Sequence, residues 1–161
     1  MIDSDDCSTC SPQPEASLVL RVRRCREGAR IPRFAHPGDA GLDLYAACDC
    51  NLQPFERALI PTGLQIAIPE GFAGFVMPRS GNALKLGLSF PNTPGLIDSG
   101  YRGELQVLAI NLDPATPIPL EAGDRIAQLV ILPVPALAIR EVDELDETRR
   151  GAAGFGSSGI K

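Results

Sequence analysis

The residues best placed for chemistry lie between Gly95 and Glu104, where the chain reads Gly-Leu-Ile-Asp-Ser-Gly-Tyr-Arg-Gly-Glu. Asp98 and Tyr101 stand three residues apart around Ser99-Gly100. A carboxylate that can accept a proton and a flat ring that can face a sugar or base therefore meet at one turn. Two apolar runs, Leu96-Ile97 and Leu105 to Leu112, flank it, and Gly100 supplies the positive φ of a tight turn, so the spacing predicts a hairpin. A small molecule at its mouth would meet both groups.

Such a turn needs a rigid support, and the flanking sequence reads as short strands. Leu18, Leu20 and Val22 alternate with Val19, Arg21 and Arg23, and Leu64, Ile66 and Ile68 alternate with Gln65 and Ala67, the period of half-buried strands. Phe72 to Met77 is a short apolar run between Gly71 and Pro78. Proline or glycine recurs too often from Pro32 to Pro135 for long helices, which predicts an all-β sandwich, barrel or jelly roll. One short helix is expected, capped by Ser80, running through Asn82, Ala83, Leu84 and Lys85 and stopped by Gly87. The strand from Leu105 to Leu112 is apolar on both faces, which predicts either a central position or burial against another subunit.

With 161 residues the chain suits one domain with tails. Four acids and no base fall in residues 1–17, leaving 16 of the 20 acids against 15 Lys and Arg in the rest. A near-neutral body without a basic stripe is a poor nucleic-acid binder, because duplex affinity comes from cations that neutralise phosphates. No run of eighteen apolar residues is present and the N-terminus is acidic, so no membrane span is expected and a cytoplasmic location is. Five cysteines include Cys7-x-x-Cys10, the start of a zinc or redox site or simply free thiols; no second such pair follows and His36 is the only histidine.

Residues 1–17 read as a disordered acidic leader, 18–140 as the all-β core, and 141–161 as a linker and arm. The linker holds five acids in the seven residues 141–147, and four glycines fall in the nine residues 151–159. That end is either a frayed tail or an arm whose N–H and O–H groups wrap phosphates while Phe155 covers a base.

Five stretches in order resemble the five motifs of the trimeric dUTPases: Ala40-Gly41-Leu42-Asp43-Leu44, Pro78-Arg79-Ser80-Gly81-Asn82-Ala83, the Asp98 hairpin preceded by Asn92, Gly123-Asp124-Arg125-Ile126-Ala127-Gln128-Leu129, and the arm from Arg150 to Gly159. The resemblance spans residues 18–159. It implies a distorted jelly-roll or β-clip barrel with one short helix, a C-terminal arm exchanged between subunits, and a homotrimer with active sites at subunit interfaces. The implied reaction is cleavage of dUTP to dUMP and pyrophosphate, which keeps uracil out of DNA and supplies dUMP for thymidylate synthesis. Asp98 would orient and deprotonate the water that attacks the α-phosphorus. Arg79, Ser80 and Gly81 would hold the phosphate chain, Gln128 the α-phosphate region, and Arg150 the γ-phosphate. Mg²⁺ would ride mainly on the triphosphate, with Asp43 near its water shell. Asn92, Leu96, Ile97 and the main chain near Gln106 would read uracil, Tyr101 would pack under the deoxyribose, and Phe155, Gly156 and Ser157 would close over the nucleotide. The alternative is a dCTP deaminase of the same superfamily.

Three positions depart from the family pattern. Ala153-Gly154 replaces a Gly-Gly pair, Asn82 stands where a larger apolar residue is expected, and Gly100 replaces an acidic residue before the tyrosine. None removes a catalytic group.

Overall fold

The protein is described by a computed structural model over residues 18–154. Ten strands and one short helix make up its regular structure: β1 Arg21–Arg24, β2 Leu42–Tyr45, β3 Cys50–Leu52, β4 Arg57–Ala67, β5 Phe72–Met77, α1 Ser80–Leu86, β6 Leu88–Ser89, β7 Gly95–Ile97, β8 Glu104–Asn111, β9 Ile118–Leu120 and β10 Arg125–Pro133. Two four-stranded sheets, β1-β4-β8-β6 and β2-β10-β5-β7, and a small β3-β9 pair are all antiparallel. The predicted all-β class and the single helix therefore stand, in a jelly-roll-like arrangement.

Alternation in the sequence becomes the core. Ile60 and Ile66 of β4 and Leu105, Val107 and Ala109 of β8 point inward from one sheet, and Leu44, Val76, Ala127 and Leu129 from the other, all buried in one cluster. Burying each large aliphatic side chain contributes roughly 1.5–3 kcal/mol. Asn111 is buried with them, and its amide is satisfied: Nδ2 donates to Leu52 O at 3.0 Å and to Thr116 O at 2.9 Å, while Oδ1 accepts from Asp113 N at 2.8 Å.

Four expectations change, the first being that Gly100 does not take the positive φ expected of the turn. The runs flanking Ser99-Gly100 do not form a paired hairpin: β7 pairs with β5 in one sheet and β8 with β4 and β6 in the other, so the turn carries the chain between sheets. Both runs have a core face, and each lies in the sheet where that face is covered. The N-cap of α1 is Arg79, not Ser80, and no side chain caps the helix. Strand β1 begins at Arg21, with Leu18 and Val19 exposed before it. As predicted, α1 ends at Gly87, whose φ of 71° is left-handed.

The outer face of β8 is only half covered: Leu108 pairs with Leu59 of β4, which is 60% exposed, and Ile110 lies beside it on the same face. Beyond β10 no described residue is in a helix or strand, and Leu137, Ile139 and Leu145 are almost fully exposed. Cys25, Cys48 and Cys50 are free thiols, and burial pushes the Cys50 thiol up from its ordinary value. Residues 1–17, with Cys7 and Cys10, lie outside the described part.

Candidate active site

Strand β10 is the spine of the site. Its Gln128 lies between two neighbours, paired in register with Asp43 of β2 on one side and Met77 of β5 on the other. The chain leaves β5 through Pro78 into Arg79, so the first, second and fourth motifs meet at one end of one sheet. Gln128 Nε2 donates to Pro78 O at 3.0 Å, which ties the turn before α1 to the spine. A Cβ on Gly41 would lie 2.8 Å from Gln128 Oε1, so this glycine leaves room for the amide.

Asp43 is buried, with a side chain 9% exposed, and both its oxygens face cations: Arg79 Nε is 3.0 Å from Oδ1 and Arg125 Nη1 is 3.4 Å from Oδ2. A carboxylate in this position fixes two guanidiniums that would otherwise repel. Asn82 Nδ2 donates to Arg125 O at 2.8 Å. An amide at this position therefore joins α1 to β10, which a larger apolar side chain could not do.

These groups surround a cavity of about 480 Å³ lined by Asp43, Arg79, Ser80, Gly81, Arg125 and Gln128, and also by His36 and Asp39. Two arginines, a hydroxyl, a glycine and an amide around one hollow suit an oligophosphate. Sequence reading quoted Arg125 within a motif but gave it no role, and missed His36 and Asp39. The cue for the last two was their spacing, since Asp39 Oδ2 accepts the His36 N–H at 2.8 Å in a local turn.

The second half of the predicted site lies elsewhere in the protomer. In the pairing of β7 with β5, Gly95 faces Val76 and Ile97 faces Gly74, so Asp98 emerges at the Phe72 end of β5 while Arg79 follows the Met77 end. A six-residue strand separates the two ends by about 16 Å. Asp98 is exposed in a separate hollow with Leu96, Ser99, Phe72 and Val134. Asn92 and Leu96 are exposed too, with the Asn92 amide beside Gly95, and Ile97 is half-buried. Gln106 faces outward from β8, opposite Pro61.

The turn itself is tightly tied. Tyr101 N donates to Asp98 O at 3.1 Å, and Arg102 Nη1 donates to Ser99 O at 2.6 Å and to Tyr101 O at 2.7 Å. The Tyr101 hydroxyl donates to Glu104 O at 2.9 Å. The Glu104 carboxylate is gripped by Arg26, which holds its carboxyl below the usual carboxylate range. Arg150 is exposed, donating from Nε to Ala153 O at 3.0 Å, and does not line the cavity. Phe155, Gly156 and Ser157 lie outside the described residues.

Among the described residues no cluster of three or more His, Cys, Asp or Glu could hold a metal ion, and no helix is long and apolar enough to cross a membrane.

The dUTPase family model matches residues 27–159. The deoxyuridine 5'-triphosphate nucleotidohydrolase of Thermobifida fusca is 54% identical over 143 residues, covering 89% of this chain and 80% of the relative. A mutant of the Staphylococcus bacteriophage 80alpha dUTPase with dUpNHpp superposes with a TM-score of 0.81 at 32% identity, covering 88% of this chain and 99% of that one. A mutant dUTPase from phage phi11 of S. aureus, described as revealing the coordination of a structural Mg(II) ion, gives 0.75 at 32% identity over 80% and 99% of the two chains.

Proposed function

The chain belongs to the dUTPase family, and from that premise we propose how its residues divide the work of hydrolysing dUTP. It is a dUTP diphosphatase. The dCTP deaminase alternative is not favoured, because the family model and the relatives are dUTP nucleotidohydrolases. The observation that carries the division of work is the cavity of Asp43, Arg79, Ser80, Gly81, Arg125 and Gln128, which brings two guanidiniums, a hydroxyl and an amide around one hollow.

Arg79, Ser80 and Gly81 hold the phosphates, and Gln128, anchored on Pro78 O, reaches the α-phosphate. Asp98 orients a water and takes its proton as the water oxygen bonds to the α-phosphorus. The bond from that phosphorus to the bridging oxygen breaks, and pyrophosphate leaves as an anion that needs no strong acid. A positioned general base gives about 10²–10⁴ in rate. Mg²⁺ fits as a triphosphate-borne ion: Asp43 offers one carboxylate already shared by two arginines, yet each oxygen keeps a lone pair for a metal-bound water. When bound, it neutralises phosphate charge and orients the chain for in-line attack. Asn92, Leu96, Ile97 and the main chain near Gln106 read uracil, and Tyr101 lies under the deoxyribose.

Asp98 and the phosphate cavity belong to opposite ends of β5, so one protomer does not complete the site. We place Asp98 of one subunit over the cavity of the next in a homotrimer. The apolar outer face of β4 and β8 around Leu59, Leu108 and Ile110 supports burial against a neighbour, and the exposed Leu137, Ile139 and Leu145 support an arm exchanged onto another subunit. Arg150 then reaches the γ-phosphate, while Phe155, Gly156 and Ser157 close over the nucleotide and exclude water.

A product assay over dUTP, dTTP, dCTP and UTP, with and without Mg²⁺, tests this reading. Pyrophosphate is expected from dUTP alone and only with the ion; release of ammonia from dCTP or equal turnover of UTP would contradict it.

A further inference from the structure

The Tyr101 ring is held from an unexpected place. Its hydroxyl donates to the carbonyl of Glu104, and a Cβ on Gly103 would fall inside the phenol, so the ring lies folded back on the backbone just before β8. Tyr101 is 43% exposed, leaving part of the ring open to a ligand. The position of the ring therefore depends on the position of the Glu104 peptide.

That peptide is the first of β8, paired with Gln65 of β4, and is held a second time through its own side chain. Arg26, in the loop after β1, donates from Nε to Glu104 Oε1 at 2.6 Å and from Nη2 to Oε2 at 2.7 Å, a two-pronged fork. Glu104 Oε1 also accepts the Gly63 N–H at 3.0 Å, and Gly63 O accepts the Cys25 N–H at 2.8 Å. Gly63 sits where the register of β4 against β8 shifts, in a left-handed conformation with φ of 71°. Loop, bulge and strand start are thus closed into one ring of contacts around a single carboxylate.

We propose that Arg26 is a positioning residue for sugar selection: through Glu104 it sets the height of the Tyr101 ring and with it the room left for a 2′-hydroxyl. This rests on the reading that Tyr101 lies under the deoxyribose. The Asp98 side of the turn is held separately, by Arg102 on Ser99 O and Tyr101 O, so loss of the fork acts on the ring more than on the base. The Arg26 side chain is 50% exposed and the Glu104 side chain 18%, so the pair adds modestly to global stability and its loss acts mainly on the turn.

The test uses the full chain. In Arg26→Ala the ratio of kcat/KM for dUTP over UTP is expected to fall about tenfold, the scale of a steric discrimination of one small group, with kcat for dUTP within about twofold. Arg26→Lys, a single charge without the fork, recovers part of the ratio. Tyr101→Phe, which keeps the ring and removes its anchor, lowers the ratio by a similar factor, and combining it with Arg26→Ala adds little. An unchanged ratio in Arg26→Ala, or fully additive effects, overturns the proposal. A readout independent of the sugar comes from tyrosine emission, because the chain has two tyrosines and no tryptophan. In a Tyr45→Phe background, Arg26→Ala is expected to raise acrylamide quenching of Tyr101; unchanged quenching overturns the link between fork and ring. If quenching rises while Tyr101→Ala leaves the dUTP over UTP ratio untouched, the fork holds the ring but the ring does not select the sugar, and the assignment of Arg26 to sugar selection falls with it.

Discussion

The phosphate cavity and the Asp98 turn are built by different means. Around the cavity, adjacent strands in one sheet set Asp43 against Gln128 and Gln128 against Met77 in register, and Asp43 pairs two arginines before any ligand arrives. Around the turn no ladder runs between the flanking strands; side-chain donors from Arg102 and Tyr101 hold the backbone where the chain passes from one sheet to the other, and Arg26 holds the Glu104 carboxylate beside it. A ladder places side chains at fixed intervals, which suits a repeating anion. A tied turn offers a few groups at an edge, which suits the role proposed for Asp98.

The sharpest way to break this contrast is to separate the halves genetically. Asp98→Asn is expected to lower turnover by about 10²–10⁴ while leaving nucleotide binding in place, and Arg79→Ala to damage binding. If subunits share the site as proposed, refolding the two inactive variants together should restore activity, because mixed assemblies regain sites with both groups intact; no recovery would mean that one protomer supplies both. Next in size, Asp43→Ala leaves Arg79 and Arg125 facing each other without their acceptor. A loss of about 2 kcal/mol in chemical denaturation is expected, with weaker dUTP binding by calorimetry. A stability equal to wild type would show that the cavity is not held by its charges.

Smaller effects sharpen the picture. Asn82→Ala removes one hydrogen bond from α1 to Arg125 O and should cost about 1 kcal/mol, with KM rising more than kcat falls. On the turn side the Glu104 carboxyl titrates below its ordinary range, first because of the Arg26 hydrogen bonds, against an ordinary value of 4.5. A depressed carboxylate adds stability that is complete above pH 4.5 and lost as the pH falls through the lowered value. The melting-temperature gap between wild type and Glu104→Gln should therefore be constant from neutral pH to about 4.5 and close below it; a gap that widens in acid would reverse the sign.

Much of the core was legible because strand burial has a period of two, and Leu64, Ile66 and Ile68 fall buried on one side as their alternation predicts. The cavity residues were legible as motifs, yet Arg125 received no role, since nothing in Gly123 to Leu129 announces that its guanidinium reaches back to Asp43 across the β2–β10 pairing. The Ser99-Gly100 turn misled in two respects, since Gly100 has no positive φ and the flanking runs do not pair. Local glycine chemistry says that the chain reverses, but not which partner each arm of the turn will find. Arg26 gave no signal at all, being one of several arginines near β1, 78 residues from the carboxylate it grips.

What the sequence determined by itself was the class of the fold, the positions of its breaks and the motifs from which most of the cavity lining comes, because these depend on local periodicity and residue type. What only the tertiary structure decided was the company those side chains keep: Asp43 between two arginines, Tyr101 resting on the carbonyl of a residue whose carboxylate a distant guanidinium grips, and Asp98 in a hollow apart from the cavity of its own protomer. Such pairings come from which strands exchange backbone hydrogen bonds, and that choice is made by the packing of whole faces rather than by neighbours along the chain.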